Sequence, residues 1–548
     1  MKTKCNWLQI GLLGALLLAR PAAVNAQLSF TTNNGVITMT GFTGSGTLVI
    51  PASTNGFPVT SIGTNAFWVS GTLTNVVIPD SVTNIGDFAF YYCTSLTNVA
   101  LGNGVAIIGT SAFGYCAQLA GLTLPASVTS IGSNAFYNCY RLPGVGIPAG
   151  VTNIGSLAFA QCTNLSAFTV DVSNPAYSSV AGVLFDAGQH TLIQYPQNKA
   201  GNDYAIPAGV TNIAGLAFNF CGGLTNVVIP NSVSGMGDLA FYFCSGLTSI
   251  SIGTGLTSIG NLVFSDCSSL TNVTLPASVT SIGDYAFRQC RSMTNITIPS
   301  GVTRLGNYCF AHSGLTSVVI PNAVTNIGDY AFSDCATLTS VTLPTGTVNI
   351  GTAVFENCYQ LGSIIIPVGV NSIGANAFLN CYGLTHITIP VTVTNLGYGA
   401  FYECHALTNI TIPASVTSLG DYLFYDCYNL AGVYFAGNAP SQGGSSEFFS
   451  DANAIAYYLP GTTGWALFSG IPTMLWNPQG SGFGVRTNQF GFTLTGPGNV
   501  VIVVEACTDL LNPLWQPMQT NTLTGGAAYV GDPQWTNYPA RFYRFRSP

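Results

Sequence analysis

The sequence predicts a β-rich solenoid of stacked coils followed by a small C-terminal all-β module, and three observations predict it. A Phe recurs every 23 residues at Phe67, Phe90, Phe113, Phe136 and Phe159, again from Phe218 through Phe310, and, after a one-residue deletion, from Phe332 through Phe424, giving fifteen copies. In most copies a Cys stands three residues after that Phe, and the same short apolar pattern flanks it. The final stretch, residues 485–548, loses the period. Self-similarity at this length marks an architecture in which each unit buries its apolar side only by stacking on its neighbours.

One copy explains the rest. In Leu270-x-x-Val273-x-Leu275 the apolar residues fall at strand spacing, so Val273 and Leu275 share one side while Thr271, Asn272 and Thr274 face out. Pro276 ends the strand, having no N–H for a ladder. Ile282 and Phe287 supply the opposite wall of the core, and Gly283 between them reads as a tight turn with positive φ. Glycine holds that position at Gly63, Gly86, Gly109, Gly260, Gly328 and Gly420, with Ala214 as an exception.

The signature S-V-T-x-I-G-x-x-A-F-x-x-C-x-x-L-T-x-V-x-I-P resembles the BspA-type bacterial leucine-rich repeat over roughly residues 28–440. The resemblance implies a right-handed leucine-rich-repeat solenoid of about fifteen 23-residue coils, with a parallel sheet on one face and turns on the other. It also implies a secreted or cell-surface protein that adheres to or recognises proteins or glycans. No shared enzymatic activity comes with it.

In chain order, residues 1–26 read as a signal peptide. Lys2 and Lys4 are basic, Ile10 to Leu18 is apolar, and Val24-Asn25-Ala26 offers a cleavage site after Ala26. The apolar run is too short to span a bilayer, and no longer one follows, so no membrane span is expected in the mature chain. Residues 27–58 read as an N-terminal β cap. The repeats occupy 59–435, interrupted at 171–205, where Gly182–Phe185 and Thr191–Tyr195 read as a hairpin. That insert is either a binding excursion or a variant coil. Residues 436–476 read as a terminal cap, 477–484 as a linker, and 485–548 as a small antiparallel β module. Arg541, Arg544 and Arg546 cluster at its end, as surface contacts or as ordinary strand residues.

Charge narrows the partners. Without residues 1–26 the chain has 9 basic and 19 acidic residues, a net charge of −10, which disfavours nucleic acid and anionic membrane. Thirteen of the 16 cysteines occupy one repeat position. Stacked in register, their Cβ atoms stand about 4.8 Å apart, beyond the reach of a disulfide, so they read as a column of buried free thiols. A column does not converge on a tetrahedron, so neither a metal nor another cofactor is expected. The four histidines, His190, His312, His386 and His405, form no hydrolytic or metal-binding motif, and Asp284, Asp329 and Asp421 recur at a turn position. A non-enzymatic protein is expected.

Two surfaces remain for recognition of an extracellular protein or glycan. The outward strand face is uncharged and rich in hydroxyl and amide groups, with Thr271, Asn272, Thr274, Thr294, Asn295, Thr297, Thr339, Thr342, Thr408, Asn409 and Thr411 as the candidate binding residues. Thr is also simply a good exposed strand residue. A tyrosine rim beside the cysteine position includes Tyr382, Tyr402 and Tyr425. Its rings either offer faces for stacking on a ligand or pack between coils. Adhesion leads, a passive structural or extracellular-matrix role is second, and an ice or mineral binder third.

Overall fold

The computed structural model describes residues 28–33, 36–442, 448, 453–466, 468–487, 489–498 and 500–547. The proposed signal peptide lies outside these residues. The chain divides into two compact units, one ending at Ser278 and the other beginning at Val279.

Each repeat contributes a longer strand and, after the following turn, a two-residue strand, and each kind stacks in parallel on its counterpart one coil away. In the first unit Leu73–Val77 pairs with Asn98–Ala100, matching Asn75 to Asn98, while Asn84–Ile85 pairs with Ile107–Ile108. In the second unit Ser363–Ile365 pairs with His386–Thr388, and Asn349–Ile350 with Ser372–Ile373. Two parallel ladders therefore run along the stack, where the sequence resemblance implied one.

A third wall carries hydrogen bonds without being a sheet. Phe88, Phe90 and Tyr92 donate their N–H groups to Thr110, Ala112 and Gly114 of the next coil, while the intervening Ala89, Tyr91 and Cys93 donate back into their own turn. Phe88 and Tyr92 have φ of 55° and 61°, and equivalent residues such as Tyr285 and Gln289 repeat this at 58° and 62°. The left-handed residues are thus ordinary side chains. The repeated glycine has no positive φ at Gly86, Gly132 or Gly328, which corrects the turn argument. It is required instead by close approach: an added Cβ at Gly132 lies 2.5 Å from Thr110 N, and at Gly328 2.5 Å from Asn307 N. Ala214 stands where the coil beneath is the insert, its N–H bonding Leu192 O rather than a neighbouring repeat.

Between these walls lies the core. Phe67, Phe90, Phe113, Phe136 and Phe159 stack with centroids 4.8–5.4 Å apart. Phe287 through Phe424 repeat this at 5.4–5.8 Å, and Phe448 extends the column at 5.3 Å. No disulfide joins the described cysteines, and all of them are buried. Column thiols donate to a carbonyl one coil back, as Cys116 Sγ to Phe90 O at 3.2 Å and Cys404 Sγ to Phe378 O at 3.3 Å show.

The insert folds as three antiparallel strands, Tyr177–Val180, Val183–Asp186 and Thr191–Gln194, the last rejoining the parallel ladder by pairing Leu192 with Ile213. Tyr195 stacks on Phe218 at 5.2 Å and so takes the phenylalanine position. The insert is therefore a variant coil. Residues 455–475 likewise continue the stack: Ile455–Tyr458 pairs in parallel with Gly432–Phe435 and then with Thr473–Leu475.

The C-terminal module is two three-stranded antiparallel sheets, opening with Gln479–Arg486 inside the stretch read as a linker. Its core residues Phe492, Leu494, Val500, Ile502, Val504, Leu523 and Val530 form one cluster with Tyr434 and Tyr457 of the last coils. Glu505, 5% exposed, bonds Arg544 Nε and Arg546 Nε at 2.7 Å each, and Arg541 pairs with Asp532 at 3.0 Å. All three arginines of the cluster are thus paired within the module, Arg544 and Arg546 sharing one carboxylate.

Three outcomes follow from these contacts. Gly328→Ala is expected to lose about 1–3 kcal/mol in denaturant unfolding, whereas Gly346→Ala, with nothing within 4 Å of its Cβ, is expected to be neutral. Burial pushes the Cys93 thiol up to about 12. A thiol ionises near 8.5 when unfolded, so its contribution is complete below that pH and is lost as pH climbs towards 12. Melting temperature is expected to fall above about pH 9, with thiolate absorbance appearing only on unfolding. For Glu505, burial raises the pKa, but hydrogen bonds and charge from Arg546 and Arg544 outweigh it and hold the carboxyl below its usual value. Its stabilisation is present above about pH 4.5 and is lost as pH falls further. Glu505→Gln should cost about 1–3 kcal/mol at neutral pH, and less in acid.

Candidate functional site

The strand face separates into two columns of different chemistry. The first, at the residue before each strand, is consumed by stacking. Thr97 Oγ1 donates to Thr74 O at 2.9 Å, Thr248 to Thr225 O at 2.9 Å and Thr271 to Thr248 O at 3.0 Å. In the second unit Thr339 does the same to Thr316 O at 2.9 Å. Thr294 and Thr408 accept from the amides of Asn295 and Asn409 at 3.4 and 3.2 Å. These hydroxyls join coil to coil or fix a neighbouring amide.

The second column lies three residues on, where exposed Val228, Val319 and Ile365 interrupt a run of threonines. Thr123, Thr169 and Thr274 in the first unit, and Thr297 and Thr342 in the second, are exposed. Their hydroxyls have no hydrogen-bond partner among the described residues. Asn272 lies beside Thr274 in the strand Asn272–Thr274, in register with Ser249. At the far end Thr411 leaves this pattern: its hydroxyl lies 2.8 Å from Ser547 Oγ, so the C-terminal module covers it.

In the first unit this face opens into a trough of about 510 Å³ lined by Leu122, Thr123, Gly146, Thr169 and Asp171, among others. Beside it one residue departs from the repeat. In neighbouring coils the residue before the strand donates its N–H back, as Thr97 does to Thr74 O and Ala120 to Thr97 O. Pro143 occupies that position and has no N–H, and among the described residues no pairing joins Gly144–Ile147 to Gly121–Leu122. Gly146 leaves the floor bare, although an added Cβ there has ordinary room, its nearest neighbour lying at 3.5 Å. The sequence signal was available in Leu142-Pro143-Gly144-Val145-Gly146, which departs from the Leu-Thr-Asn-Val pattern at each outward position.

The tyrosine rim is packed between coils. Tyr359, Tyr382, His405 and Tyr428 form a continuous column with centroids 5.0, 4.5 and 4.2 Å apart. Tyr402 stacks on Tyr425 at 4.6 Å, and Tyr285, Tyr308 and Tyr330 repeat the arrangement at 4.8 and 4.4 Å. Within a column each ring covers the face of the next. Edges and hydroxyls remain for a partner: Tyr382 Oη donates to Glu403 Oε2 at 3.3 Å, and His405 Nε2 lies 3.9 Å from the same carboxylate oxygen. The turn aspartates serve stacking too. Asp87, Asp284 and Asp329 each accept, through Oδ1, the backbone N–H 23 residues later, at 2.7–2.9 Å.

Among the described residues no group of three or more His, Cys, Asp or Glu side chains is placed to hold a metal ion, and no helix is long and apolar enough to cross a membrane.

No curated protein matches the sequence. Among solved structures, a leucine rich cell surface protein from Faecalibacterium prausnitzii is 30% identical, with 59% of this chain and 95% of that one covered, at a TM-score of 0.39. A leucine-rich repeat protein from Bacteroides ovatus is 22% identical over 84% of this chain and all of its own, at 0.42. The pneumococcal vaccine antigen PcpA is 17% identical over 83% and 98%, at 0.31. The model of the BspA type leucine rich repeat region matches residues 60–179, 197–316 and 303–431, more than half of the chain. With that match, and with coils that stack as the repeat requires, the chain belongs to the BspA-type leucine-rich repeat family.

Proposed function

We propose that the protein is exported and works without catalysis as a surface recognition module, engaging an extracellular protein or glycan through the strand face of its repeats. The observation that carries this reading is the set of exposed hydroxyls at Thr123, Thr169, Thr274, Thr297 and Thr342, which have no hydrogen-bond partner among the described residues. A passive structural protein needs hydroxyls only where they join coils, as Thr97, Thr248 and Thr339 do. The second column does no such work, and its uncharged donors and acceptors suit a neutral, hydroxylated or amide-bearing partner. The leader-like residues 1–26 and the acidic balance of the remainder support export and a partner that is neither nucleic acid nor anionic membrane.

The test is binding of the mature chain, residues 27–548, to an array of glycans and extracellular proteins. Two variants accompany it, Thr123→Val with Thr169→Val, and Thr297→Val with Thr342→Val. Valine keeps the shape and the strand preference while removing the hydroxyl. Saturable binding that one pair weakens about tenfold, at unchanged melting temperature, is the expected result. No saturable binding, or binding indifferent to both pairs, would sink the proposal.

A further inference from the structure

The C-terminal module ends in an apolar tip. We infer that this tip dips into the surface of a bilayer without net charge, a contact independent of the strand-face reading.

Register places the tip. Ala506 pairs with Gln516, so the connection between Val501–Cys507 and Gln516–Thr522 projects beyond the end of the paired strands. Residues 508–514 are all exposed, and the largest of them are aliphatic. Leu510 is 53% exposed, Leu511 91% and Leu514 79%. Cys507 pairs with Phe542, so the exposed Phe542 ring opens the neighbouring strand at the same end, and residues 538–541 lead into it. A single exposed leucine needs no explanation, but three on one projecting loop beside an exposed phenylalanine mark a contact surface.

Shape and charge choose the occupant. A projecting loop offers no groove to a peptide or helix and suits a medium that closes around it. At its base lies a collar of rings and arginines. The Arg544 guanidinium lies over the Trp515 ring at 4.6 Å, and that of Arg541 over the Tyr538 ring at 4.6 Å. Such side chains put an apolar body towards lipid and a polar end in water, which is the chemistry of the headgroup level. Both cations are already paired, Arg544 with Glu505 at 2.7 Å and Arg541 with Asp532 at 3.0 Å. Neither is free to hold an anionic lipid, which leaves a zwitterionic surface. Within the loop Asp509 is the one charged residue; it stands near the strand end, its Oδ1 accepting the Leu511 N–H at 2.8 Å. Pro513, between Leu511 and Leu514, has no N–H to desolvate.

The test is flotation of the whole mature chain, residues 27–548, with phosphatidylcholine vesicles. The expected result is saturable co-flotation that salt does not weaken. Leu511→Asp with Leu514→Asp should lower it about tenfold or more at an unchanged melting temperature, and Leu511→Met with Leu514→Met should retain it. Brominated phosphatidylcholine should quench tryptophan fluorescence in the unaltered chain, and Trp515→Phe should remove most of that quenching. No co-flotation of the unaltered chain overturns the inference, as does binding that the aspartate pair leaves intact. Binding confined to vesicles containing phosphatidylglycerol and lost in salt overturns it too, since charge would then carry the contact. Self-association that the aspartate pair abolishes, in a chain that ignores phosphatidylcholine, overturns it by giving the tip to a second copy.

Discussion

Every position in a stacked repeat must tolerate a copy of itself about 4.8 Å away, and this self-compatibility governs the rest of the structure. Phenylalanine meets the condition by laying ring on ring, at 4.8–5.4 Å from Phe67 to Phe159. Cysteine meets it by reaching back to a backbone carbonyl, as Cys116 does to Phe90 and Cys404 to Phe378. The repeated glycine meets it by having no side chain, because the backbone of the coil beneath lies where a Cβ would go. Asp87 and Asp284 turn the same constraint to use, each accepting the N–H that its counterpart position presents one coil later.

This is also why so much of the fold was legible. Periodic residues announce themselves, and the phenylalanine and cysteine columns could be assigned by counting. The backbone conformations behind them could not. The left-handed φ values fall on Phe88, Tyr92, Tyr285 and Gln289, whose side chains carry no common signal, whereas glycine drew a turn argument it did not need. Tyr195 and Phe448 continue the aromatic column, but the insert and a shifted spacing hid them from the period.

The candidate surfaces were less legible, because what decides them is which groups stacking leaves over. Thr271 and Thr274 look equivalent in the sequence, yet the Thr271 hydroxyl joins coils and that of Thr274 does not. For Tyr382, Tyr402 and Tyr425 the sequence left open whether the rings face a ligand or pack between coils, and they stack in columns. Covering of Thr411 by Ser547, and pairing of Glu505 with Arg544 and Arg546, depend on segments that meet only after folding. No local pattern encodes them.

The missing N–H of Pro143 has a mechanical consequence. Before the insert, successive coils of the first unit are tied by two strand ladders and by the bonded turn wall. At the step from Gly121–Leu122 to Gly144–Ile147 the longer-strand ladder is absent, while the short strands and turns still hold, as Ile108 with Ile131 and Phe113 N–H with Ala135 O show. A tensile load on this unit is carried there by fewer bonds than at its neighbours. With the insert, where among the described residues neither Asn153–Ile154 nor Ala167–Val170 pairs onward, that step is where a tether anchored at both ends would begin to part.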